Sequence, residues 1–174
     1  MGHIRGMKTA QPQLIDCRLA TVQDAYRLAR MSRDYVERGH GWSWQAPQIL
    51  RCIRGCESVV LCASVTAPNS PPTNPVVGFA IMEFGEHRAH LSLLAVTPRM
   101  RRQGVANTLL SWLEKSAMVA GIAELTLEVR AQNVGARRFY AKLGFDEIAH
   151  IPRYYSGREN AYRLRKKIRE PFDD

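Results

Sequence analysis

Leu93-Leu94-Ala95-Val96-Thr97-Pro98-Arg99-Met100-Arg101-Arg102-Gln103-Gly104-Val105-Ala106-Asn107 is the stretch on which the architecture turns. It opens with four apolar residues, breaks at Thr97-Pro98 and passes through a basic run into a segment of different period. From Val105 onward, Leu109, Leu110, Leu113, Ala117 and Ala120 recur at helical spacing, and Gly121 follows them. The reading is a buried strand, a short arginine-rich loop and a long helix. The first N–H groups of a helix have no partner inside it and carry the positive end of its dipole. With no bulky side chain at Gly104 or Ala106, a phosphate can approach the amides of Gln103, Gly104, Val105, Ala106 and Asn107 directly. Arg101 and Arg102 add charge at the mouth. In isolation, an ordinary helix start with solvated arginines would look the same, because short glycine patterns recur by chance.

Upstream, Leu14 to Leu19, Val59 to Val65, Val76 to Glu83 and His90 to Val96 read as strands. Thr21 begins a helix, with Asp24 three residues on as an approximate capping box. Leu28, Met31, Tyr35 and Val36 give that helix an apolar stripe, and Gly39 with Gly41 end it. A shorter helix covers Pro47 to Ile53. Between the two lies the aromatic-rich loop Gly39-His40-Gly41-Trp42-Ser43-Trp44. Pro68, Pro71, Pro72 and Pro75 mark a segment that cannot continue a central strand. Downstream, Leu125 to Arg130 alternates, with Leu125, Leu127 and Val129 on one side and Thr126, Glu128 and Arg130 on the other. Asn133 to Leu143 is a helix stopped by Gly144, and Phe145 to Ile151 with Ala161 to Leu164 form a closing pair of strands. The order predicts an α+β fold: a mixed, mostly antiparallel central sheet flanked by helices, parallel only where a helix makes the crossover. The expected division is a flexible lead-in over 1–13, a single domain over 14–168 and a tail over 169–174.

Composition agrees with one globular domain. At 174 residues the chain can bury a core without a disulfide or metal staple. Hydrophobic residues at 45% and charged residues at 24% exclude a wholly disordered or fibrous chain. The longest uncharged apolar run, Val59 to Ala63, is far short of the ~20 residues of a membrane span. The start, Met1 to Lys8, does not open into a secretory core. A soluble cytoplasmic domain without a membrane partner is expected. Among the cysteines, Cys52 and Cys56 stand at same-face helical spacing and Cys62 sits in an apolar run. With no second pair of metal-ligating residues, reduced structural thiols and no metal are expected. The net charge of +9 points to an anionic partner. The run Arg163, Arg165, Lys166, Lys167 and Arg169 reads as a solvated end rather than a patch, so direct nucleic-acid binding is not expected.

Further motifs follow the basic loop at fixed distance. They are Leu127-Glu128-Val129-Arg130-Ala131-Gln132-Asn133, then Phe139-Tyr140-Ala141-Lys142-Leu143-Gly144-Phe145, then Arg153-Tyr154-Tyr155 and Gly157-Arg158-Glu159. With Arg101-Arg102-Gln103-Gly104-Val105-Ala106 they make a chain that resembles the GNAT superfamily of N-acetyltransferases. Within it, the ribosomal-protein-alanine N-acetyltransferase group is the nearest match. The resemblance is dense from Ala89 to Leu164 and general from Ile15 to Ala80.

That resemblance implies a GNAT fold and acetyl-CoA as cosubstrate. The turn from Arg101 to Asn107 would bind its pyrophosphate, and Asn133 would add a contact while also capping its helix. The backbone of Leu94, Ala95 and Val96 would pair with the pantetheine arm as an added strand does. Aminolysis of a thioester needs a neutral amine and a proton for the leaving sulfur. The resemblance places these roles on Glu128 as base, directly or through water, and on Tyr140 as acid. By residue type alone, Glu128 could belong to a solvated strand face and Tyr140 to core packing. No carboxylate stands at Ser92, Leu93 or Leu94, so Glu83 and Glu86 are the other candidate bases. The Trp42–Trp44 loop is a candidate wall of the acceptor pocket.

The implied activity is acetyl transfer to a protein N-terminal α-amino group, with a ribosomal protein as the acceptor. Acetylation of a lysine or a small-molecule amine, and a non-catalytic RNA- or ribosome-binding module, are the other readings.

Overall fold

A computed structural model describes residues 14–39, 41–66 and 75–169. Seven strands form one sheet: β1 (Leu14–Leu19), β2 (Ser58–Thr66), β3 (Val76–Phe84), β4 (Arg88–Val96), β5 (Glu124–Arg130), β6 (Asp146–Tyr155) and β7 (Glu159–Lys167). The helices are α1 (Ala25–Tyr35), α2 (Ala46–Arg54), α3 (Val105–Val119) and α4 (Val134–Lys142). The sheet order is β1-β2-β3-β4-β5-β7-β6. Every neighbouring pair is antiparallel except β4 with β5. That pair is joined through α3, as a parallel crossover requires, whereas β1 and β2, joined through α1 and α2, pair antiparallel. The expected element order and mixed sheet are those observed.

Each face of the sheet has its own core. On one, Leu28 of α1 and Ile49 of α2 pack against Phe79, Ile81 and Leu93. On the other, Leu109, Leu110 and Leu113 of α3 pack against Leu61, Ala80, Leu125 and Leu127, with Tyr140 of α4 beside them. Gly78 of β3 lets α3 settle close. A Cβ there would lie 2.8 Å from Val105 Cγ1 and 3.2 Å from the Ala95 carbonyl oxygen.

The feature that positions the site is a short seam. β4 and β5 pair only at Arg88–Glu124, Ala89–Leu125 and His90–Thr126. Beyond it, β4 continues on β3 alone as far as Val96, and β5 continues on β7 alone as far as Arg130. A wedge therefore opens between Leu91–Val96 and Leu127–Arg130. Ser92 is the extra residue of a bulge, since Ile81 pairs with Leu93 and Met82 with Leu91. Bulges bend a strand and release it from a neighbour.

Several local expectations need correction. A 3-10 turn (Val22–Asp24) precedes α1, although Asp24 does accept from the Thr21 N–H at 2.7 Å. α2 ends at Arg54, so Cys56 lies exposed beyond it and shares no helical face with buried Cys52. The closing strands run on to Tyr155 and Lys167, because a second register shift between Ile151 and Tyr155 absorbs Pro152. Residues 1–13, His40, Pro68 to Pro72 and the tail after Arg169 lie outside the described residues. Among the described residues, no helix is long and apolar enough to cross a membrane.

Candidate active site

Two structures meet at the wedge. At its wide end β4 passes through a 3-10 turn (Pro98–Met100) into the start of α3. Arg102 has φ 59° and Gly104 has φ 88°, a left-handed conformation that glycine adopts without strain. The first helical bond runs from the Thr108 N–H to the Gly104 carbonyl at 2.9 Å. The amides of Val105, Ala106 and Asn107 precede it, and the first turn carries no acidic side chain. An anion therefore meets open donors and no competing carboxylate.

Side chains of the loop divide their work. Gln103 donates to the Arg99 carbonyl at 2.8 Å and so shapes the turn itself. Arg101 donates through Nε to the Val96 carbonyl at 3.2 Å. One lone pair of that edge carbonyl is thus engaged, and a second remains. Arg101 also lines a cleft of about 560 Å³ with Arg33, Arg38 and Glu37. Asn133 caps α4, its Oδ1 accepting from the Ala136 N–H at 3.0 Å.

At the closed end of the wedge lies Glu128. Its side chain is only 6% exposed, between Arg163 Nε at 2.7 Å and His90 Nε2 at 3.1 Å. Burial, and then the nearby Glu128 carboxylate, raise the Tyr154 hydroxyl above its ordinary value. Burial by itself would raise this carboxyl, but the hydrogen bonds from His90 and Arg163, with their charges, bring it down to about 2. The pairing stabilises the fold above glutamate's ordinary 4.5 and is lost as pH falls through about 2. His90 makes a second contact, Nδ1 to Thr126 Oγ1 at 2.9 Å.

Tyr140 lies on the other face, buried in edge-to-face contact with Phe139 at 5.1 Å and Phe145 at 5.5 Å. Burial, and secondarily Tyr155, push its hydroxyl well above the ordinary phenol value. It stays protonated at any working pH. Glu128 and Tyr140 are thus on opposite faces of β5 and can serve one reacting centre only through the gap between β4 and β5.

A third wall closes the site. Arg130 donates to the Val36 carbonyl at 2.8 Å, lies 3.8 Å from Glu159 and stands 5.3 Å over the Tyr155 ring. It joins the segment after α1 to the β6–β7 hairpin. Buried Glu37 organises that segment, accepting from Ser32 Oγ at 2.9 Å, from the Ser43 N–H at 2.8 Å and from the Ser43 hydroxyl. Trp42 and Trp44 pack inward on the α1–α2 core. What the segment brings near Arg130 is its backbone, not those indoles.

Glu83 and Glu86 fare differently as alternative bases. Glu83 is opposite His90 in register, exposed, and accepts from Ser92 at 2.8 Å. Glu86 is exposed in the β3–β4 turn. Sequence reasoning missed His90 and Arg163. The only available signal was a polar residue at alternate positions of an otherwise apolar strand.

Residues 28–145, well over half of the chain, match the sequence profile of the Acetyltransferase (GNAT) family. The [ribosomal protein bS18]-alanine N-acetyltransferase of Escherichia coli is 39% identical over 89 residues, 49% of this chain and 60% of its own length. An N-alpha-acetyltransferase MAK3 of Arabidopsis thaliana is 31% identical over 99 residues, 55% of this chain and 52% of its own. The chain thus spans little more than half the length of these curated relatives. The crystal structure of the ribosomal-protein-S18-alanine N-acetyltransferase from Escherichia coli superposes with TM-score 0.74 at 26% identity, over 92% of this chain and 98% of that one. Arabidopsis thaliana NAA60 in complex with a bisubstrate analogue has the same fold, with TM-score 0.77 at 18% identity over 88% and 99%. With the expected mixed sheet observed and the family profile matching residues 28–145, the chain belongs to the acetyltransferase (GNAT) family.

Proposed function

We propose that this chain moves the acetyl group of acetyl-CoA to the α-amino group of a protein N-terminus, residues 14–168 being the transferase domain. The observation that carries the reading is the wedge, with amides suited to a pyrophosphate at one end and an ionised carboxylate at the other. Relatives named for N-terminal acetylation, one of them for a ribosomal protein's alanine, support the choice of acceptor. A cytoplasmic enzyme working without a metal fits this chemistry. The cosubstrate would supply the activated acetyl thioester. The β4 edge from Leu94 to Val96 would hold its arm, and the turn from Arg101 to Asn107 with Asn133 its phosphates.

The chain's own groups then divide the proton work. Glu128 draws in the cationic amine, but a carboxylate held near 2 cannot retain a proton at neutrality. Glu128, directly or through a water, therefore takes the proton from the amine and passes it on to solvent. The freed amine nitrogen bonds to the thioester carbon, the carbon–sulfur bond breaks, Tyr140 gives its hydroxyl proton to the sulfur, and the second proton of the acylated nitrogen restores the hydroxyl.

Two measurements test this. Mass spectrometry of peptides with free and with blocked N-termini, incubated with acetyl-CoA, should find the acetyl group on the α-amine of the free set only. Modification of lysine in blocked peptides would overturn the acceptor assignment. In thermal unfolding, CoA should raise Tm by mass action, worth about 2.7 kcal/mol at a hundredfold excess over Kd, whereas pantetheine without phosphates should do much less. Gly104→Val should lower Tm itself, because a β-branched residue is strained at φ 88°, and should remove the CoA shift. Equal shifts from CoA and pantetheine would remove the phosphate role of this turn.

A further inference from the structure

Below the wedge, the face of β5 and β7 that carries Glu128 has no helical cover among the described residues. The α1–α2 core stops at β4, while α3 and α4 pack on the opposite face. Register places Arg163 opposite Glu128, Arg165 opposite Thr126 and Lys167 opposite Glu124. The residues between point the other way: Leu164 is in the core, and Lys166 reaches Glu114 of α3 at 2.6 Å. Arg163, Arg165 and Lys167 therefore stand in one row, roughly 7 Å apart, starting at the reactive carboxylate.

Exposure is uneven between the two signs of charge. Glu128 and Glu124 are 6% and 22% exposed, whereas Arg163, Arg165 and Arg88 around them are 46%, 41% and 70% exposed. The exposed carboxylates of this face, Asp146 opposite Arg165 on β6 and Glu83 opposite His90 on β3, stand at its margins. Arg163 reaches Glu128 through Nε, which leaves its paired terminal nitrogens for a second carboxylate. A chain laid over this row meets cationic groups first, with their counter-ions sheltered beneath.

Building on the N-terminal acetyltransferase reading, we infer that the acceptor polypeptide lies along this row, its amine at Glu128, and that the row selects acceptors with acidic residues just behind the amine. An extended segment repeats its side chains at the same interval as the strand, so alternate acidic residues meet Arg163, Arg165 and Lys167 in turn. A basic segment would set like charges against one another there.

Three peptides that share an N-terminal alanine and differ in the next five residues (acidic, amide or basic) decide the matter by kcat/KM with acetyl-CoA. The acidic peptide should exceed the basic one by about tenfold at low salt, the sum of two or three exposed charge contacts. The ratio should shrink as salt screens them. In the double variant Arg165→Gln, Lys167→Gln it should fall to within about twofold, with the amide peptide as internal reference against general damage. A basic peptide used as well as or better than the acidic one, or a ratio untouched by the double variant, would overturn the proposal. Transfer to none of the three, with CoA still raising Tm, would overturn the N-terminal reading and this proposal with it.

Discussion

Glu128→Gln should lower turnover by ~10²–10⁴-fold, the range for loss of a positioned proton-handling group. The substitution keeps size and one acceptor oxygen, so Arg163 retains a partner. It removes the charge that draws the amine and the carboxylate that takes its proton. Acetyl-CoA affinity should hardly move, since the carboxylate is at the far end of the wedge from the start of α3. The pH dependence carries the sign of the argument. Because Glu128 is held at about 2 in the folded protein, its own titration cannot limit the wild-type rate anywhere above pH 4. The deficit of the variant should shrink as pH rises, because more acceptor amine is neutral without help. Near-normal turnover at pH 7 would remove Glu128 from the mechanism, and Glu83, opposite His90, would be examined next.

Tyr140→Phe should cost turnover on the same ~10²–10⁴-fold scale, with the opposite response to pH. The phenol lies above its ordinary value because it is buried, so the wild-type acid remains protonated across the assay range. The variant lacks a donor to sulfur at every pH, and its deficit should stay flat. The ring keeps its contacts with Phe139 and Phe145. The change in stability should therefore stay within about 1 kcal/mol, the usual scale of one hydrogen bond. Unfolding of the variant would give Tyr140 to the core alone. Comparing the two pH responses in one acceptor assay separates proton removal from the amine and proton delivery to sulfur.

The strands and helices were legible because their signals are local. The break at Thr97-Pro98, the change of period at Val105 and the alternation of Leu125, Leu127 and Val129 each sit within a few residues. The turn from Arg101 to Asn107 was legible for the same reason, as was the capping role of Asn133. The surroundings of Glu128 were not. His90 and Arg163 come from strands 38 and 35 residues away in the chain, and which residue faces which depends on sheet order and on the register of β5 with β4 and β7. A one-residue slip would have sent Arg163 to the α3 face. Taken in sequence, Arg163, Arg165 and Lys167 looked like a charged end of the chain. Their common face follows only once β7 is known to continue past Leu164.

Gly78 touches no group assigned to the chemistry, yet it bears on both parts that would hold the cosubstrate. A methyl group on it would press on Val105 at the start of α3 and on the carbonyl of Ala95 at the wedge. The spacing between helix and strand is set by an atom that is missing from β3. Such a position works as a shim: a bulkier residue would move the pyrophosphate turn by tenths of an ångström relative to the strand edge without altering any contacting residue. With the cosubstrate held as proposed, ligand affinity would be adjustable from behind the sheet, at a position that an inspection of the site alone would pass over.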